Sequence, residues 1–314
     1  MKIGLLSNEK LPRGINWTLL SDPLFADLHA LGAGEILAPP PPGLSTAGEY
    51  LRLAGRAQKM DAFFSMHGKA RPEWPLQALS WAAGRVLRAV FYVDPWKHAI
   101  DRIAQADRLF GHDLVFVPYA EALRDLEAKG GRTRYIYLPF ACDTEVFRPR
   151  EVARDIDILW MGRRDPMLHR SLLALSEQRG LNYQYRETTG FLDDPRDLGL
   201  LAARSRYFVV TPPEPERSGG YSPLLMRYFE GLAAGCRLLG TLPASGEFEA
   251  LLPRDSLLEV AGDGSDLASR YDADQGDDAA WAATREAMRL TREHHGWRAR
   301  ATTIIDELAR AWRG

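Results

Sequence analysis

Short apolar runs alternate with helical stretches along the chain, and this alternation most limits its possible folds. Apolar runs without polar alternation are typical of strands buried on both faces of a parallel sheet. The pattern restarts after the extended segment Arg148-Pro149-Arg150, which predicts a domain boundary near Pro149. We therefore expect two α/β domains. The predicted strands are residues 3–7, 34–38, 62–66, 86–93, 114–117 and 135–138, then 156–161, 181–185, 207–211, 238–241 and 257–259; the second half also has predicted helices at 166–178, 198–203 and 279–313 and a loop at 262–278.

The composition is that of a globular protein and argues against several functional classes. A length of 314 residues is enough for two domains with separate cores. The chain has 40 basic and 42 acidic side chains and a net charge of −2, so its overall charge does not favour binding to nucleic acid. The sequence has no run of about 18 apolar residues and begins with a strand pattern instead of a signal peptide. We expect a cytoplasmic protein without a transmembrane segment.

No metal site is predicted. Cys142 and Cys236 lie far apart without the spacing of metal ligands, which indicates reduced thiols in the core. The acidic pairs Asp155-Ile156-Asp157 and Asp272-Ala273-Asp274 resemble metal-binding DxD motifs. However, the first pair lies at the start of a predicted strand and the second in an acidic loop, so we interpret both as structural.

A helix is predicted directly after the glycine-rich turn Gly219-Gly220. Ser222 is a suitable N-cap and Pro223 suits the first helical position, so the helix is expected to begin at Pro223 and to end at Gly235. Because the two glycines carry no Cβ, backbone N–H groups beside the helix N-terminus are expected to approach an anion closely. The segment therefore predicts a diphosphate site.

The same predicted helix carries one carboxylate on an otherwise apolar stretch. Arg227 and Glu230 are three residues apart and share a helix face. Glu230 lies about seven residues, or roughly 10 Å, beyond the expected helix start, which matches the span from a nucleotide's distal phosphate to its ribose. Glu230 is thus a candidate acceptor for two ribose hydroxyls. The alternative is an amphipathic helix in which Glu230 pairs with a neighbouring arginine.

Polar side chains follow several predicted strands at their carboxyl ends, where open α/β sheets bind ligands. In the first half these are Asn8-Glu9, His67 and Asp94, and in the second half Arg163 and Arg170. Arg163 suits a diphosphate because a guanidinium is a fixed bidentate donor. Each also has a structural interpretation: His67 as a satisfied polar residue, Asp94 as the first residue of a turn before proline, and the arginines as solvated charges.

A series of motifs in fixed order carries a family resemblance. The segment 137–149, with Leu138-Pro139, Asp143, Phe147 and Pro149, resembles the interdomain junction of retaining GT-B glycosyltransferases, especially those of family 4. Residues 156–163, 190–192, 202–212 and 227–235 are similar, in the same order, to later motifs of that family. Asp94-Pro95-Trp96 and the Arg227 to Glu230 pattern most resemble the CgeB-like spore-maturation glycosyltransferases.

This resemblance implies a fold and an activity. The fold is GT-B, with two Rossmann-like domains whose parallel sheets face a central cleft. The resemblance assigns residues 1–149 to the acceptor domain, 150–296 to the nucleotide-sugar domain, and a final helix of about 297–314 that crosses back to the first domain. The implied activity moves a sugar from a nucleotide-diphosphate sugar of UDP or GDP type, with retention and without metal or another cofactor. The acceptor is a glycan, small metabolite, lipid or protein.

The resemblance also assigns the donor site. Glu230 matches the second glutamate of an E-x7-E pattern that binds ribose, Arg163 matches the basic residue near the diphosphate, and Arg170 stands near a second basic position. Arg227 shares the helix with Glu230, and Gly219, Gly220, Tyr221 and Ser222 form the preceding turn. Ser222 replaces the first glutamate of the pattern.

The sequence leaves alternatives for the missing glutamate and for the overall function. The role of the missing glutamate could fall to Glu214, to Glu216 or to backbone N–H groups of residues 219–222. On the acceptor side, Asp94 lies near the place where many relatives have a catalytic-site histidine, so Asp94 and His67 are the predicted catalytic groups. Alternative functions are a GT-B-fold nucleotide-sugar epimerase and a catalytically silent nucleotide-sugar-binding or assembly protein, the latter suggested by Ser222.

Overall fold

The computed structural model describes residues 1–7, 20–41, 43–68, 74–82, 84, 86–187 and 194–313. These residues fall into two units. Unit 1 comprises the described parts of Met1–Pro139, Glu214–Tyr221 and Arg298–Gly314, and unit 2 those of Phe140–Pro213 and Ser222–Trp297. The C-terminal helix from Arg298 onwards therefore groups with unit 1. The segment Glu214–Tyr221 also groups with unit 1, although both of its chain neighbours belong to unit 2.

Unit 1 contains a six-stranded parallel sheet with the order β2-β1-β3-β4-β5-β6. The order reverses between β1 and β3, which is where ligands bind in doubly wound sheets. The elements are β1 Ile3–Leu6, α1 Ser21–Ala30, β2 Gly34–Leu37, α2 Ala47–Ala57, β3 Ala62–His67, α3 Trp74–Ala82, β4 Leu87–Tyr92, α4 Ile100–Phe110, β5 Leu114–Val117, α5 Ala120–Glu127 and β6 Arg134–Tyr137.

Unit 2 contains a five-stranded parallel sheet with the order β11-β10-β9-β7-β8, which is the same winding as in unit 1. Its switch point lies between β7 and β9. The remaining elements are β7 Ile156–Met161, α6 Pro166–Arg179, β8 Tyr183–Arg186, α7 Pro195–Ala203, β9 Ser205–Val210, α8 Pro215–Ser218 (in unit 1), α9 Met226–Ala233, β10 Arg237–Gly240, α10 Glu247–Leu251, β11 Leu257–Glu259, α11 Leu267–Asp274, α12 Asp278–His294 and α13 Trp297–Arg313.

The strands form where the apolar runs predicted them, with ends shifted by at most two residues. All side chains of β3 and β5 are buried, as expected for central strands of a parallel sheet. The predicted loop 262–278 was wrong in part, because it contains α11. Leu267 and Tyr271 are four residues apart and both are buried in the unit 2 core, so this stretch folds as a helix despite its acidic residues.

Two further observations concern membrane-spanning helices and the predicted residues 8, 9 and 190–192. Within the residues that the structure describes, no helix has both the length and the apolar character needed to cross a membrane. The predicted "xFxG" turn at residues 190–192 and the candidates Asn8 and Glu9 lie outside the described residues.

Candidate functional site

Gly219 and Gly220 end helix α8 and do not begin helix α9. Pro215 occupies the first turn of the short helix α8, and Gly219 follows α8 in the left-handed conformation with φ of 69°. The N–H group of Gly220 donates to the carbonyl of Pro215 at 3.0 Å, the bond that closes a Schellman-type C-terminus. The prediction that these glycines leave N–H groups free at a helix N-terminus was therefore wrong, because Gly220 uses its N–H to end α8.

The carboxylate-bearing helix α9 begins at Met226, three residues after the predicted start at Pro223. Ser222 is not its N-cap, because the Ser222 hydroxyl accepts from the N–H of Ala244 at 2.9 Å. The N-cap is Leu225, whose side chain cannot accept a hydrogen bond. The N–H of Tyr228, the third residue of α9, donates to the carbonyl of Leu225 at 3.2 Å. The N–H groups at the start of a helix otherwise have no acceptor within it, so those of Met226 and Arg227 are the candidate donors to an anion.

The segment Glu214–Tyr221 makes its contacts within unit 1. The phenol of Tyr221 donates to Asp125, and the Arg217 guanidinium lies 5.9 Å from the centre of the Trp96 ring. A Cβ on Gly219 would lie 2.8 Å from the Cβ of Lys97, so the glycine permits a close approach. Among the predicted binding residues, Gly219, Gly220 and Tyr221 therefore group with unit 1, whereas Ser222, Arg227, Glu230, Arg163 and Arg170 group with unit 2.

Glu230 is a fully buried carboxylate with one unsatisfied oxygen. Its Oε2 accepts from Nη1 of Arg227, which confirms that these two residues share a helix face. Its Oε1 is buried and has no hydrogen-bond partner among the described residues. Burial raises the pKa of Glu230, and the charge of Arg227 opposes that shift. A buried acceptor without a donor lowers the stability of the folded protein by about 1–3 kcal/mol, so a ligand that donates a hydrogen bond to it removes that cost on binding.

Tight packing fixes the backbone at Glu230. The next residue, Gly231, faces the sheet so closely that a Cβ would lie 2.8 Å from atoms of both Phe208 and Leu238. The phenol of Tyr228 donates to the carbonyl of Thr241 at 2.7 Å. The backbone of α9 at Gly231 therefore packs directly on side chains of β9 and β10, which fixes the position of Glu230.

A basic loop follows β7 at the switch point of the unit 2 sheet. Two side-chain hydrogen bonds fix its backbone. The Tyr185 phenol donates to the carbonyl of Gly162 at 3.1 Å, and the Trp160 indole donates to the carbonyl of Arg163 at 3.0 Å. The Arg164 guanidinium stacks over the Tyr185 ring at 4.9 Å. By contrast, the Arg163 side chain is exposed and pairs with no acidic side chain among the described residues.

The structure separates the roles of the neighbouring basic groups. Arg164 donates to Nε2 of His169 at 3.0 Å, so His169 carries its proton on Nδ1, which lies 2.7 Å from the Tyr183 phenol. Burial and Arg164 both lower the pKa of His169. Arg170 is exposed and bonds within its own helix, to the carbonyl of Pro166 at 3.3 Å. Arg163 is thus the arginine of this loop best placed to meet a ligand.

Asp94 follows β4 at the carboxyl end of the unit 1 sheet. It is half-buried, and the Tyr119 phenol donates to its Oδ1 at 3.3 Å. The Trp96 ring stacks on Tyr119 with 4.7 Å between ring centres. Asp94 therefore has a defined orientation beside an aromatic pair, at the edge of the sheet where polar functional groups are expected.

His67 lies in the core of unit 1 and has no exposed surface. Its Nε2 lies 3.0 Å from the Gln77 amide nitrogen and 3.1 Å from the Ser65 hydroxyl. Burial, with a smaller contribution from His112, lowers the pKa of His67 to about 3, so the ring is neutral at physiological pH. This environment is that of a structural histidine and gives no support to the predicted catalytic role of His67.

The carboxylates of the two DxD-like segments have structural partners. Asp272 pairs with Arg179 at the surface, and Asp274 pairs with the buried Arg237. Asp155 pairs with Arg204, and Asp157 accepts from the N–H of Asn182 at 2.9 Å. In the described part of the chain, no group of three or more His, Cys, Asp or Glu residues is arranged to hold a metal ion.

Comparison with known proteins defines the fold class. No protein-family profile and no curated protein matches the chain. Among solved structures, Anabaena HepE in complex with UDP-glucose aligns over 99% of both chains with a TM-score of 0.60 and 12% identity. A UDP-forming α,α-trehalose-phosphate synthase from Burkholderia vietnamiensis aligns over 95% of this chain and 82% of its own, with a TM-score of 0.54 and 12% identity. The chain therefore has the GT-B fold.

A third similar structure is the complex of accessory secretory proteins 1, 2 and 3 from Streptococcus pneumoniae. It aligns over 84% of this chain and 57% of its own, with a TM-score of 0.55 and 12% identity. Identities this low establish the shared fold and leave the activity to be argued from the site itself.

Proposed function

We propose that this protein is a glycosyltransferase that uses a nucleotide-diphosphate sugar, with UDP as the first nucleotide to test. The GT-B fold supports the proposal, and so does the similarity to a structure that contains UDP-glucose. The CgeB-like subtype, retention and independence of metal are part of the proposal and rest on the sequence resemblance.

The unsatisfied Oε1 of Glu230 is the observation that carries the proposal. A purely structural ion pair with Arg227 would be expected to satisfy both oxygens of a carboxylate this deeply buried. Ribose hydroxyls are hydrogen-bond donors, so a ribose bound at this position would complete the carboxylate's hydrogen bonding. Glu230 is therefore assigned to the ribose.

The diphosphate is assigned to the start of α9 and to Arg163. The first-turn N–H groups of α9 carry the positive end of the helix dipole, which favours an anion. Arg163 is an exposed cation after β7 and adds a bidentate donor. During glycosyl transfer, negative charge grows on the leaving diphosphate, and these donors stabilise that charge without moving. Asp94 is the acceptor-side group that remains after His67 is assigned to the core.

A thermal-shift panel tests the proposal. UDP, GDP, ADP and TDP are each added to the wild-type protein, because a ligand that binds the folded state raises its unfolding temperature. We expect the largest shift with UDP. Glu230→Gln keeps the side-chain shape and removes the charge, and should weaken UDP binding about ten- to hundredfold, from the loss of charged hydrogen bonds of about 1.5–3 kcal/mol.

The matched control is Glu177→Gln, an exposed glutamate on α6 of the same unit that makes no ion pair with another described residue. It should bind UDP as the wild type does. A wild-type protein that none of the four nucleotides stabilises would contradict the proposal. Turnover is then measured as UDP release from a panel of UDP-sugars.

A second candidate function is that of a nucleotide-sugar-binding protein without catalysis. One observation favours it: Ser222 stands in place of the family's first glutamate, and its hydroxyl is already bonded to the N–H of Ala244. The two candidates differ in turnover alone. UDP binding without UDP release from any sugar donor, in the presence of glycan, metabolite, lipid and protein acceptors, would favour the binding protein.

A further inference from the structure

A second buried carboxylate in unit 2 contacts the chain just before α9. Glu247 is the first residue of α10, and only 4% of its surface is exposed. Its Oε2 accepts from the N–H of Leu224 at 2.7 Å and from the Ser245 hydroxyl at 2.8 Å. Leu224 lies directly before Leu225, the N-cap residue of α9. A side chain that follows β10 thus fixes the backbone that leads into the helix with Arg227 and Glu230.

Backbone bonds join the same two segments. The carbonyl of Ser222 accepts from the N–H of Ser245 at 3.3 Å, and the hydroxyl of Ser222 accepts from the N–H of Ala244 at 2.9 Å. Glu247 adds the charged contact to this link. Charge-assisted hydrogen bonds are about twice as strong as neutral ones, so the carboxylate is the strongest part of the connection.

We infer that Glu247 is a positioning residue of the proposed donor site. Its carboxylate holds Leu224, and thereby sets the direction in which the chain enters α9 and the position of the first-turn N–H groups relative to Glu230. The inference rests on the proposed function, since it names a residue that supports the same nucleotide-binding helix.

Local energetics explain how an acceptor side chain at this position supports α9. The N-cap Leu225 offers no side-chain oxygen, so α9 has no cap of its own. A negative group near the N-terminal end of a helix is stabilised by the helix dipole, and Glu247 supplies that group from outside the helix. Because it binds the N–H of Leu224, which precedes the N-cap, it leaves the N–H groups of Met226 and Arg227 to a ligand.

The contact between Glu247 and Leu224 also concerns the family's first glutamate, whose position Ser222 occupies. The sequence left Glu214, Glu216 and backbone N–H groups of residues 219–222 as alternatives for its role, and the two glutamates are exposed residues of the segment that groups with unit 1. Glu247 is a buried carboxylate that reaches the Ser222–Leu224 stretch within unit 2. The support for this stretch therefore comes from a residue more than twenty positions later in the chain.

The test compares Glu247→Ala and Glu247→Gln with Glu249→Ala, an exposed glutamate on the same short helix. UDP affinity is measured by calorimetry, and amide hydrogen exchange is followed by mass spectrometry in the nucleotide-free protein. We expect Glu247→Ala to bind UDP at least tenfold more weakly and to exchange faster in residues 222–227, with α12 unchanged. Glu247→Gln keeps an oxygen for the N–H of Leu224 and should recover affinity to within about threefold of wild type.

The positioning role of Glu247 and the proposed function are contradicted by different results. Wild-type affinity in Glu247→Ala, equal weakening by Glu249→Ala, or faster exchange throughout unit 2 would each contradict the positioning role while leaving the proposed function intact. A wild-type protein that binds none of UDP, GDP, ADP and TDP would contradict the proposed function first.

If Glu247→Ala does not fold, Ser245→Ala takes its place, because it removes one partner of the same carboxylate. It should weaken UDP binding about threefold, and unchanged affinity would refute the inference.

Discussion

Removing one partner of the buried ion pair between Arg237 and Asp274 should destabilise unit 2 without affecting its ligand binding. Arg237 begins β10, at the amino end of the sheet, and both side chains are 4% exposed. Asp274 accepts from Nε of Arg237 at 2.7 Å, from its Nη2 at 2.6 Å and from the Tyr207 phenol at 2.7 Å. Asp274→Ala removes the acceptor for all of these donors at once.

The expected loss follows from what the substitution leaves behind. Breaking a buried pair by removing one partner costs about 3–5 kcal/mol, because the remaining charge stays buried without compensation. Arg237 keeps its bond from Nη1 to the carbonyl of Asp255, so part of the guanidinium remains satisfied and we expect about 3 kcal/mol. That loss lowers the unfolding temperature by roughly 6–12 °C for a unit of this size.

A matched control lies two residues earlier on the same helix. Asp272 pairs with Arg179, but these side chains are 48% and 41% exposed, so Asp272→Ala should cost far less stability than Asp274→Ala. The assay is urea unfolding followed by circular dichroism, and the unit 2 transition is compared among the variants. UDP affinity of the folded Asp274→Ala variant should equal that of wild type, because ligands bind at the opposite, carboxyl end of such sheets.

Equal losses of stability in Asp274→Ala and Asp272→Ala would refute this role of the buried charge. We also expect Arg237→Met combined with Asp274→Leu to recover most of the lost unfolding free energy, since apolar residues of similar volume leave no uncompensated charge. A double variant no more stable than Asp274→Ala would show that packing, and not the buried charge, sets the cost.

Two further predictions concern pH and the basic loop. The pKa of His67 is about 3 in the folded protein, below its ordinary value of 6.5, so stability is complete above pH 6.5 and is lost as pH falls towards 3. Relative to His67→Gln, the wild-type unfolding free energy should fall by about 1 kcal/mol per pH unit in that window, and the exposed control His98→Gln should keep the wild-type slope. Arg163→Ala should weaken UDP binding about tenfold, whereas Arg170→Ala, whose guanidinium bonds to its own helix, should change it less than threefold. Titration calorimetry checks this pair, and equal effects would contradict the assignment.

The strands of both units were predictable because their signal is local. β3 and β5 are continuous apolar runs, and such a run is buried wherever a parallel sheet places it. The α11 helix was missed because its acidic residues masked an apolar pair, Leu267 and Tyr271, that packs into the unit 2 core. Polar composition favours a loop only when no core is available to bury the few apolar side chains.

The start of α9 was predicted wrongly for a different reason. Ser222 and Pro223 form a good helix-start signal, but the Ser222 hydroxyl is bonded to Ala244 and the N–H of Leu224 to Glu247. These long-range partners hold the chain extended until Met226. Capping preferences describe an isolated helix end, and a stronger tertiary acceptor overrides them.

The sequence by itself determined the two parallel α/β units, the GT-B resemblance and Glu230 as the carboxylate facing Arg227, because each depends on burial patterns or spacings within one stretch of chain. Only the tertiary structure decided that Gly219 and Gly220 close α8, that Glu230 keeps an unsatisfied oxygen and that Glu247 supports the chain before α9. The physical reason is that hydrogen-bond satisfaction is a property of pairs, and the partners here are brought together by folding from distant positions.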